Sequence, residues 1–118
     1  MITGTHAILY ADDAERARAF LRDVLGLRSV DAGGGWLIFR VPPAELGVHP
    51  AAPADSGRHE LYLMCDDVVA TVEDLTAKGV EFTSEVSDQG FGLLTTMRIP
   101  GAGTIGLYEP RHSVAYDL

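Results

Sequence analysis

The same order of features occurs twice along this chain, and this repeat constrains its fold more than any other property. The segments 6–13 and 60–67 are both largely apolar and both end in a pair of aspartates. Three further matches follow in the same order: Leu25-Gly26-Leu27 with Lys78-Gly79-Val80, Phe39-Arg40-Val41-Pro42 with Met97-Arg98-Ile99-Pro100, and Leu46-Gly47-Val48 with Ile105-Gly106-Leu107. Because the matches keep their order, the sequence predicts a duplicated structural unit.

Each half of the chain has the pattern of one strand, one helix and three strands. In the first half, a strand over about residues 4–11 precedes a helix over about 13–25. Asp12 or Asp13 is expected to cap this helix by accepting hydrogen bonds from its free amide groups, and Gly26 is expected to end it. The remaining predicted elements are strands near 28–31, Trp36–Val41 and Glu45–His49, then strands near Leu61–Cys65, 80–85, 92–99 and 104–109 and a helix near 67–78.

These elements predict an α+β fold with one domain over residues 1–118. Repeat one covers about residues 4–50 and repeat two about 58–110, and the segment Pro50–Gly57, rich in Ala and Pro, joins them. A unit of about fifty residues buries too little surface to be stable alone. We therefore expect the two βαβββ repeats to form a curved eight-stranded mixed sheet around a cavity, with the helices outside.

The net charge of the chain limits the classes of partner that it is expected to bind. Its 118 residues include 9 basic and 17 acidic side chains, which gives a net charge of −8. This excess of acidic groups argues against binding to nucleic acid or to an anionic membrane, because both depend on Lys and Arg. A neutral or cationic small molecule, or a metal cation, is easier to accommodate.

Two further features concern location and redox chemistry. No apolar run approaches the roughly eighteen residues of a membrane span, and the first residues lack the pattern of a secretory signal. We therefore expect a cytoplasmic protein. Cys65 is the single cysteine, so an internal disulfide is excluded, and its apolar neighbours predict a small buried side chain.

Together, the opening strand with its aspartate pair, the closing segment Gly106-Leu107-Tyr108-Glu109-Pro110 and the paired βαβββ units are similar to a known family. The chain resembles the vicinal oxygen chelate superfamily of glyoxalases, bleomycin resistance proteins and extradiol dioxygenases. Enzymes of that group hold a divalent metal with His and Glu side chains from four strands. The metal keeps open positions for a substrate with two adjacent oxygens.

The resemblance places the four ligand positions on the first and last strands of each repeat. His6 and Glu60 occupy the first-strand positions. Glu60 is preferred to His59, because this register keeps an all-apolar set against the helix. Gly47 and Gly106 occupy the last-strand positions, and neither has a side chain that can bind a metal.

Two interpretations of these positions stay open. Glu45 and His49 share the strand parity of Gly47, so His6, Glu60 and either Glu45 or His49 would form a substitute metal site. Alternatively, His6 and Glu60 are a polar pair that lines a pocket without metal. We expect no cofactor, with a divalent metal as the alternative.

The predicted pocket combines these polar side chains with aromatic ones. Its candidate residues are His6, Tyr10, Trp36, Glu45, His49, Glu60, Tyr62, Phe91 and Tyr108. The interpretation preferred here is a small-molecule-binding protein of the glyoxalase and bleomycin resistance type without the usual metal, and the resemblance implies a homodimer. The alternatives are a divalent-metal-dependent lyase, isomerase or dioxygenase, and a metal-free enzyme in which His6 or Glu60 is a general base.

Overall fold

One helix followed by three strands occurs twice along the chain in a computed structural model that describes residues 6–45, 47–48, 50, 52–56 and 58–118. The first half contains helix α1 (Ala14–Ala19), which continues as a π-helical turn over Phe20–Val24, and then strands β1 (Ser29–Asp31) and β2 (Leu37–Phe39). A 3-10 turn at Pro53–Asp55 leads to the second half, which contains strand β3 (Tyr62–Met64), helix α2 (Val68–Ala77) and strands β4 (Ser87–Asp88), β5 (Gly92–Ile99) and β6 (Gly103–Pro110). A 3-10 turn at Ala115–Asp117 follows. The fold is α+β, as predicted. No helix in the described ranges is long and apolar enough to cross a membrane.

Both helices begin and end at the residues that the sequence indicates. The Asp13 carboxylate accepts a hydrogen bond from the Arg16 amide at 3.0 Å, and the Asp67 carboxylate accepts one from the Ala70 amide at 3.0 Å. These bonds satisfy amide groups that a helix N-terminus leaves free. Gly26 follows the first helical segment with φ of 70°. This is a left-handed conformation that favours glycine.

The strands form a four-stranded sheet in the second half and a two-stranded sheet in the first. The order of the larger sheet is β3-β6-β5-β4, in which β3 and β6 are parallel and the other pairs are antiparallel. Strands β5 and β6 pair along their whole length, with Thr96 opposite Gly106 and Met97 opposite Ile105. The smaller sheet pairs β1 with β2 over three residues each.

The single eight-stranded sheet is not confirmed, because the six strands of the described residues lie in two separate sheets. Residues 6–11, predicted as the first strand, pair with no described strand. The predicted strand at 80–85 is reduced to one bridge between Phe82 and Met97, and the next strand begins at Ser87. The predicted strand Glu45–His49 lies only partly within the described residues. Strands persist where a neighbour exchanges hydrogen bonds with them, and the first-half strands pair only with each other.

The core lies between the four-stranded sheet and the helices. Its buried side chains come from both helical segments, from the loop after α2 and from one face of β5 and β6: Ala17, Phe20, Leu75, Val80, Met97, Ile99 and Ile105. Successive strand residues point to opposite faces, so Thr96, Gly106 and Tyr108 lie on the other face. Tyr62 pairs with Gly106 and shares that face. This second face carries the candidate site.

Candidate functional site

Four ring side chains meet at the end of the sheet where β6 leaves it. Tyr108 is at the centre, and its ring centroid lies 6.3 Å from that of Tyr62, 5.8 Å from that of Phe91 and 5.9 Å from that of His112. The Tyr108 hydroxyl donates to the Phe91 carbonyl oxygen at 3.3 Å. Such ring pairs are close enough for edge-to-face and offset-stacked contacts. We call Tyr62, Phe91, Tyr108 and His112 the aromatic cluster.

Two glycines make room for the tyrosine rings of this cluster. A Cβ atom at Gly106 would overlap the ring of Tyr62, and one at Gly92 would overlap the ring of Tyr108. Aromatic rings commonly cover glycines on neighbouring strands in this way, because the missing side chain leaves backbone surface to bury. The absence of side chains at Gly92 and Gly106 therefore lets both rings approach the backbone of the sheet closely.

Glu60 is held from two sides. Arg58 donates to one of its carboxylate oxygens at 2.6 Å, and the Tyr62 hydroxyl donates to the other at 2.7 Å. The three residues are spaced two apart just before and at the start of β3, and these two hydrogen bonds bring their side chains together. The hydrogen bond to Glu60, with a smaller effect of burial, raises the pKa of Tyr62. The carboxylate thus fixes the Tyr62 ring over Gly106 through its hydroxyl.

Glu45 connects the first half of the chain to its C-terminal end. One carboxylate oxygen accepts a hydrogen bond from the Ala115 amide at 2.8 Å, and the other lies 3.5 Å from His112 Nε2. The Glu45 side chain is 16% exposed, so it is largely withdrawn from solvent. Burial, and secondarily the nearby Glu45 charge, raise the pKa of Tyr108.

The opposite face of β6 holds groups that the site does not use. Glu109 accepts a hydrogen bond from the Val68 amide at 2.9 Å and so binds the start of α2. It points away from Gly106, as strand alternation predicts. The Cys65 thiol is half-buried, and burial raises its pKa, so the thiol stays protonated near neutral pH.

Comparison with known proteins identifies the family to which this chain belongs. A profile of the Glyoxalase/Bleomycin resistance protein/Dioxygenase superfamily matches residues 5–112. The chain belongs to this superfamily. The match spans both halves of the chain and includes the aromatic cluster. A search among curated proteins gave no match to the sequence.

Solved structures of the superfamily share the fold. A superfamily member from Sphaerobacter thermophilus has a TM-score of 0.65 and 24% identity, and the match covers 92% of this chain and 98% of that one. TnmS3, an antibiotic binding protein from a Streptomyces species, has a TM-score of 0.64 and 24% identity, with 93% and 99% coverage. The fosfomycin resistance protein FosX from Listeria monocytogenes has a TM-score of 0.61 and 17% identity, with 100% coverage of both chains. At these identities the likeness concerns the fold alone.

The described residues of this superfamily member do not form the metal site that the family resemblance implies. The Tyr62 ring covers Gly106, and both carboxylate oxygens of Glu60 already accept hydrogen bonds. Within the described ranges, no three His, Cys, Asp or Glu side chains converge to hold an ion. Gly47 supplies no side chain, and His49 lies outside the described residues. At Gly106, the last-strand position where the second repeat was expected to supply a metal ligand, the structure thus has the aromatic ring of Tyr62.

The predicted pocket residues fall into two groups in this superfamily member. Glu45, Tyr62, Phe91 and Tyr108 lie in or beside the aromatic cluster, and Glu60 holds it through Tyr62. The side chains of His6, Tyr10 and Trp36 are exposed. They make no hydrogen bond, ion pair or ring contact with any other described residue.

Two contributors to the site were missed by sequence reasoning. His112 was not among the predicted pocket residues, yet its exposed ring stacks on Tyr108. Arg58 was not singled out, although its alternation with Glu60 and Tyr62 is a pattern that places the three on one side of a strand. The position of His112 had no such signal, because it follows the last strand in a segment without periodicity.

Proposed function

We propose that this chain is a small-molecule-binding protein that uses the aromatic cluster in place of the usual metal site. The observation that carries the proposal is the Tyr62 ring over Gly106, which gives an apolar surface where metal-binding relatives are expected to have a carboxylate. Clefts with aromatic walls and a few polar groups are typical of small-molecule sites. The name of TnmS3, an antibiotic binding protein with the same fold, is consistent with this role.

The ligand class follows from the composition of the cluster. Its rings offer flat apolar surface, and Glu45 and Glu60 lie beside them in a chain with net charge −8. Rings bind planar groups by stacking, and neighbouring carboxylates favour cations over anions. The ligand is therefore a planar aromatic molecule, neutral or cationic.

A metal test separates this proposal from the enzymatic alternative. The purified protein is analysed for metal and, after chelation, titrated with nickel, zinc, manganese and iron while its melting temperature is followed. The proposal expects no stoichiometric metal and no saturable rise of the melting temperature. One equivalent of metal with a saturable rise would contradict it and would favour a metal-dependent lyase, isomerase or dioxygenase.

A ligand test addresses the cluster directly. Planar basic drugs are screened for a rise in melting temperature, and the best ligand is titrated against Tyr62→Leu and Val69→Ala. We expect Tyr62→Leu to weaken binding at least about fivefold, because aromatic stacking contributes on the order of 1–3 kcal/mol. Val69→Ala shortens an exposed side chain on α2, outside the cluster, and is expected to keep the affinity. Equal binding by all three proteins would place the ligand elsewhere.

We further propose that the chain works as a homodimer whose second copy completes the curved sheet. The accessible surface of the chain is 8746 Å², whereas a compact monomer of this mass exposes about 6,200 Å². The excess is the size of a large permanent interface. The exposed apolar side chains of the first half are suited to this interface: Ile8, Tyr10, Val30, Trp36, Val41 and Val48.

Light scattering during gel filtration tests the dimer. The proposal expects twice the mass of the 12.6 kDa chain, and it expects Val30→Asp to give monomers. Val69→Asp serves as control, because Val69 is an exposed valine on α2 outside the first half. A monomer for the unmodified chain, with unchanged secondary structure, would rule out the dimer.

A further inference from the structure

Residues 111–118 follow the last strand, contact the Tyr108 ring of the aromatic cluster through His112 and are held by few hydrogen bonds. We call residues 111–118 the C-terminal strap. At its start, Arg111 donates its amide to the Phe91 carbonyl at 2.9 Å, and its guanidinium pairs with Asp88 at 2.7 Å. The His112 ring then stacks on Tyr108 with an interplanar angle of 30°. The Ala115 amide donates to Glu45.

His112 occupies the orientation that a planar ligand would take. Tyr62 and Phe91 meet the Tyr108 ring at 66° and 58°, so they contact it with steep angles. Among the three ring neighbours of Tyr108 in the described residues, His112 alone is stacked. A planar molecule that stacks on Tyr108 from the solvent side therefore meets the position of the imidazole.

Glu45 supplies the contacts that hold the strap from the first half of the chain. Its two carboxylate oxygens face the Ala115 amide and His112 Nε2. The strap itself buries little, since Tyr116 and Leu118 are exposed and its other side chains are at most partly buried. Segments with few buried apolar contacts open at low free-energy cost. Loss of the Glu45 contacts is therefore expected to release residues 112–118.

We propose that the C-terminal strap is an internal competitor for the ligand site, with His112 as the group that occupies Tyr108 and Glu45 as the latch. This inference rests on the proposed function, because it assigns the Tyr108 face to the ligand. Binding of a planar ligand displaces His112 and frees the strap. The apparent affinity of the chain is lowered by the fraction of molecules in which the strap is closed.

Trypsin cleavage after Arg111 reports opening of the strap, and a planar cationic dye, acridine orange, reports access to the cluster. We compare the unmodified chain with His112→Ala, Glu45→Ala and the shape-conserving Glu45→Gln, and Glu85→Ala is a control for loss of an exposed glutamate. Cleavage after Lys78, at the end of α2, serves as the reference for general unfolding. Mass spectrometry separates the two cleavages.

The proposal expects Glu45→Ala to speed cleavage after Arg111 at least about fivefold, without changing cleavage after Lys78. It expects His112→Ala to tighten dye binding by at least about fivefold. Fivefold is the lower end of the usual coupling between two sites. Addition of dye to the unmodified chain should also speed cleavage after Arg111. Glu85→Ala should change neither quantity.

Two results would overturn the strap and leave the proposed function in place. One is dye binding that His112→Ala leaves unchanged or weakens. The other is dye that slows cleavage after Arg111, which would make the strap a cover over bound ligand. Unchanged cleavage in both Glu45 variants would remove Glu45 as the latch. If no protein binds dye, including His112→Ala, the opened cluster takes no planar ligand, and both proposals fail.

Discussion

The two halves of the chain carry the same sequence pattern but bury their residues to very different extents. In the second half, helix α2 and strands β3 to β6 pack into a layered structure, and Val68, Met97 and Ile99 are almost fully buried. In the first half, Ala17 and Phe20 are the buried residues of the described part, and both lie against the sheet of the second half. A shared pattern therefore specifies the type of element, while burial depends on what covers it.

The lengths of the strand pairs show the same difference. Strands β5 and β6 pair over eight residues each, whereas β1 and β2 pair over three. A two-stranded sheet is marginally stable without a further layer. Tyr10 is 86% exposed and Trp36 is 60% exposed, so the first half presents a surface suited to another layer. The second copy in the proposed dimer supplies that layer.

The largest effect is expected from matched isoleucine substitutions in the two halves. Ile99 is 1% exposed in the core, and Ile8 is 66% exposed in the first half. Ile99→Ala should lower the free energy of unfolding by about 2–5 kcal/mol, because it leaves a cavity. Ile8→Ala should change it by less than about 0.5 kcal/mol at protein concentrations where the chain is monomeric. Urea denaturation measures both.

Protein concentration sharpens this comparison. If the second copy covers the first half, the cost of Ile8→Ala should grow with protein concentration, whereas that of Ile99→Ala should stay nearly constant. Equal costs for the two variants under all conditions would show that both halves are equally buried within one chain. That result would remove the contrast drawn between them.

The next effect concerns the glycines that occupy equivalent positions in the two repeats. A Cβ at Gly106 overlaps the Tyr62 ring, whereas a Cβ at Gly47 meets nothing within 4 Å. Gly106→Ala should lower the free energy of unfolding by about 1–3 kcal/mol, as overpacking does, and should displace the ring. Gly47→Ala should be neutral, or stabilising by up to about 1 kcal/mol through the unfolded chain.

Thermal and urea unfolding measure the stability of the glycine variants, and ligand titration measures the ring. Gly106→Ala should also weaken binding to the aromatic cluster, while Gly47→Ala should not. A neutral Gly106→Ala would mean that Tyr62 moves aside freely. The ring over Gly106 would then no longer support the proposed site.

A smaller effect is expected from removing single tyrosine hydroxyls. The Tyr62 hydroxyl donates to Glu60, which raises the pKa of Tyr62. Its contribution to stability is therefore fully present below the unfolded-state pKa of about 10 and is lost as the pH rises through the higher folded-state value. Tyr62→Phe should cost about 1 kcal/mol at neutral pH, since solvent weakens a half-exposed bond, and less at alkaline pH.

Tyr10→Phe is the control in the first half, because the Tyr10 hydroxyl contacts no described residue. It should leave the free energy of unfolding unchanged at neutral pH. Urea unfolding at a series of pH values, with ultraviolet titration of the phenols, separates the two variants. A pH-independent cost of Tyr62→Phe would mean that the bond to Glu60 does not form in solution.

Local features of the fold could be predicted from the sequence, whereas long-range contacts could not. Asp13 and Asp67 cap the helices because the capping carboxylate acts on amides three residues away. Strand β5 agrees with its predicted bounds because alternation sets its buried face.

The site itself was only partly predictable. Tyr62 and Tyr108 follow from strand parity, but the contact of Glu45 with Ala115 joins residues far apart in a segment without periodicity. No spacing rule encodes such a contact. The sequence also does not show what covers the strands of the first half. An apolar pattern indicates that a surface is buried, but it does not identify the element that packs on it.

The smallest effect is expected in two turns that contain the same hydrogen bond, from a glycine amide to an aspartate two residues earlier. Asp31 accepts a hydrogen bond from the Gly33 amide at 2.8 Å, and Asp88 accepts one from the Gly90 amide at 2.9 Å. Only Asp88, of the two, pairs with a cation in the described residues, since Arg111 lies 2.7 Å away. The Gly90 amide and then the Arg111 charge lower the pKa of Asp88.

The stabilisation by Asp88 is therefore present above the unfolded-state pKa of about 3.9 and is lost as the pH falls through the lower folded-state value. Asp88→Asn should lower the melting temperature slightly at neutral pH, and the difference should vanish in strong acid and shrink with added salt. Asp31→Asn, which removes no ion pair among the described residues, should show no salt dependence. A salt-independent loss in Asp88→Asn would assign its role to the turn alone. Arg111 would then anchor the strap through its amide bond to Phe91.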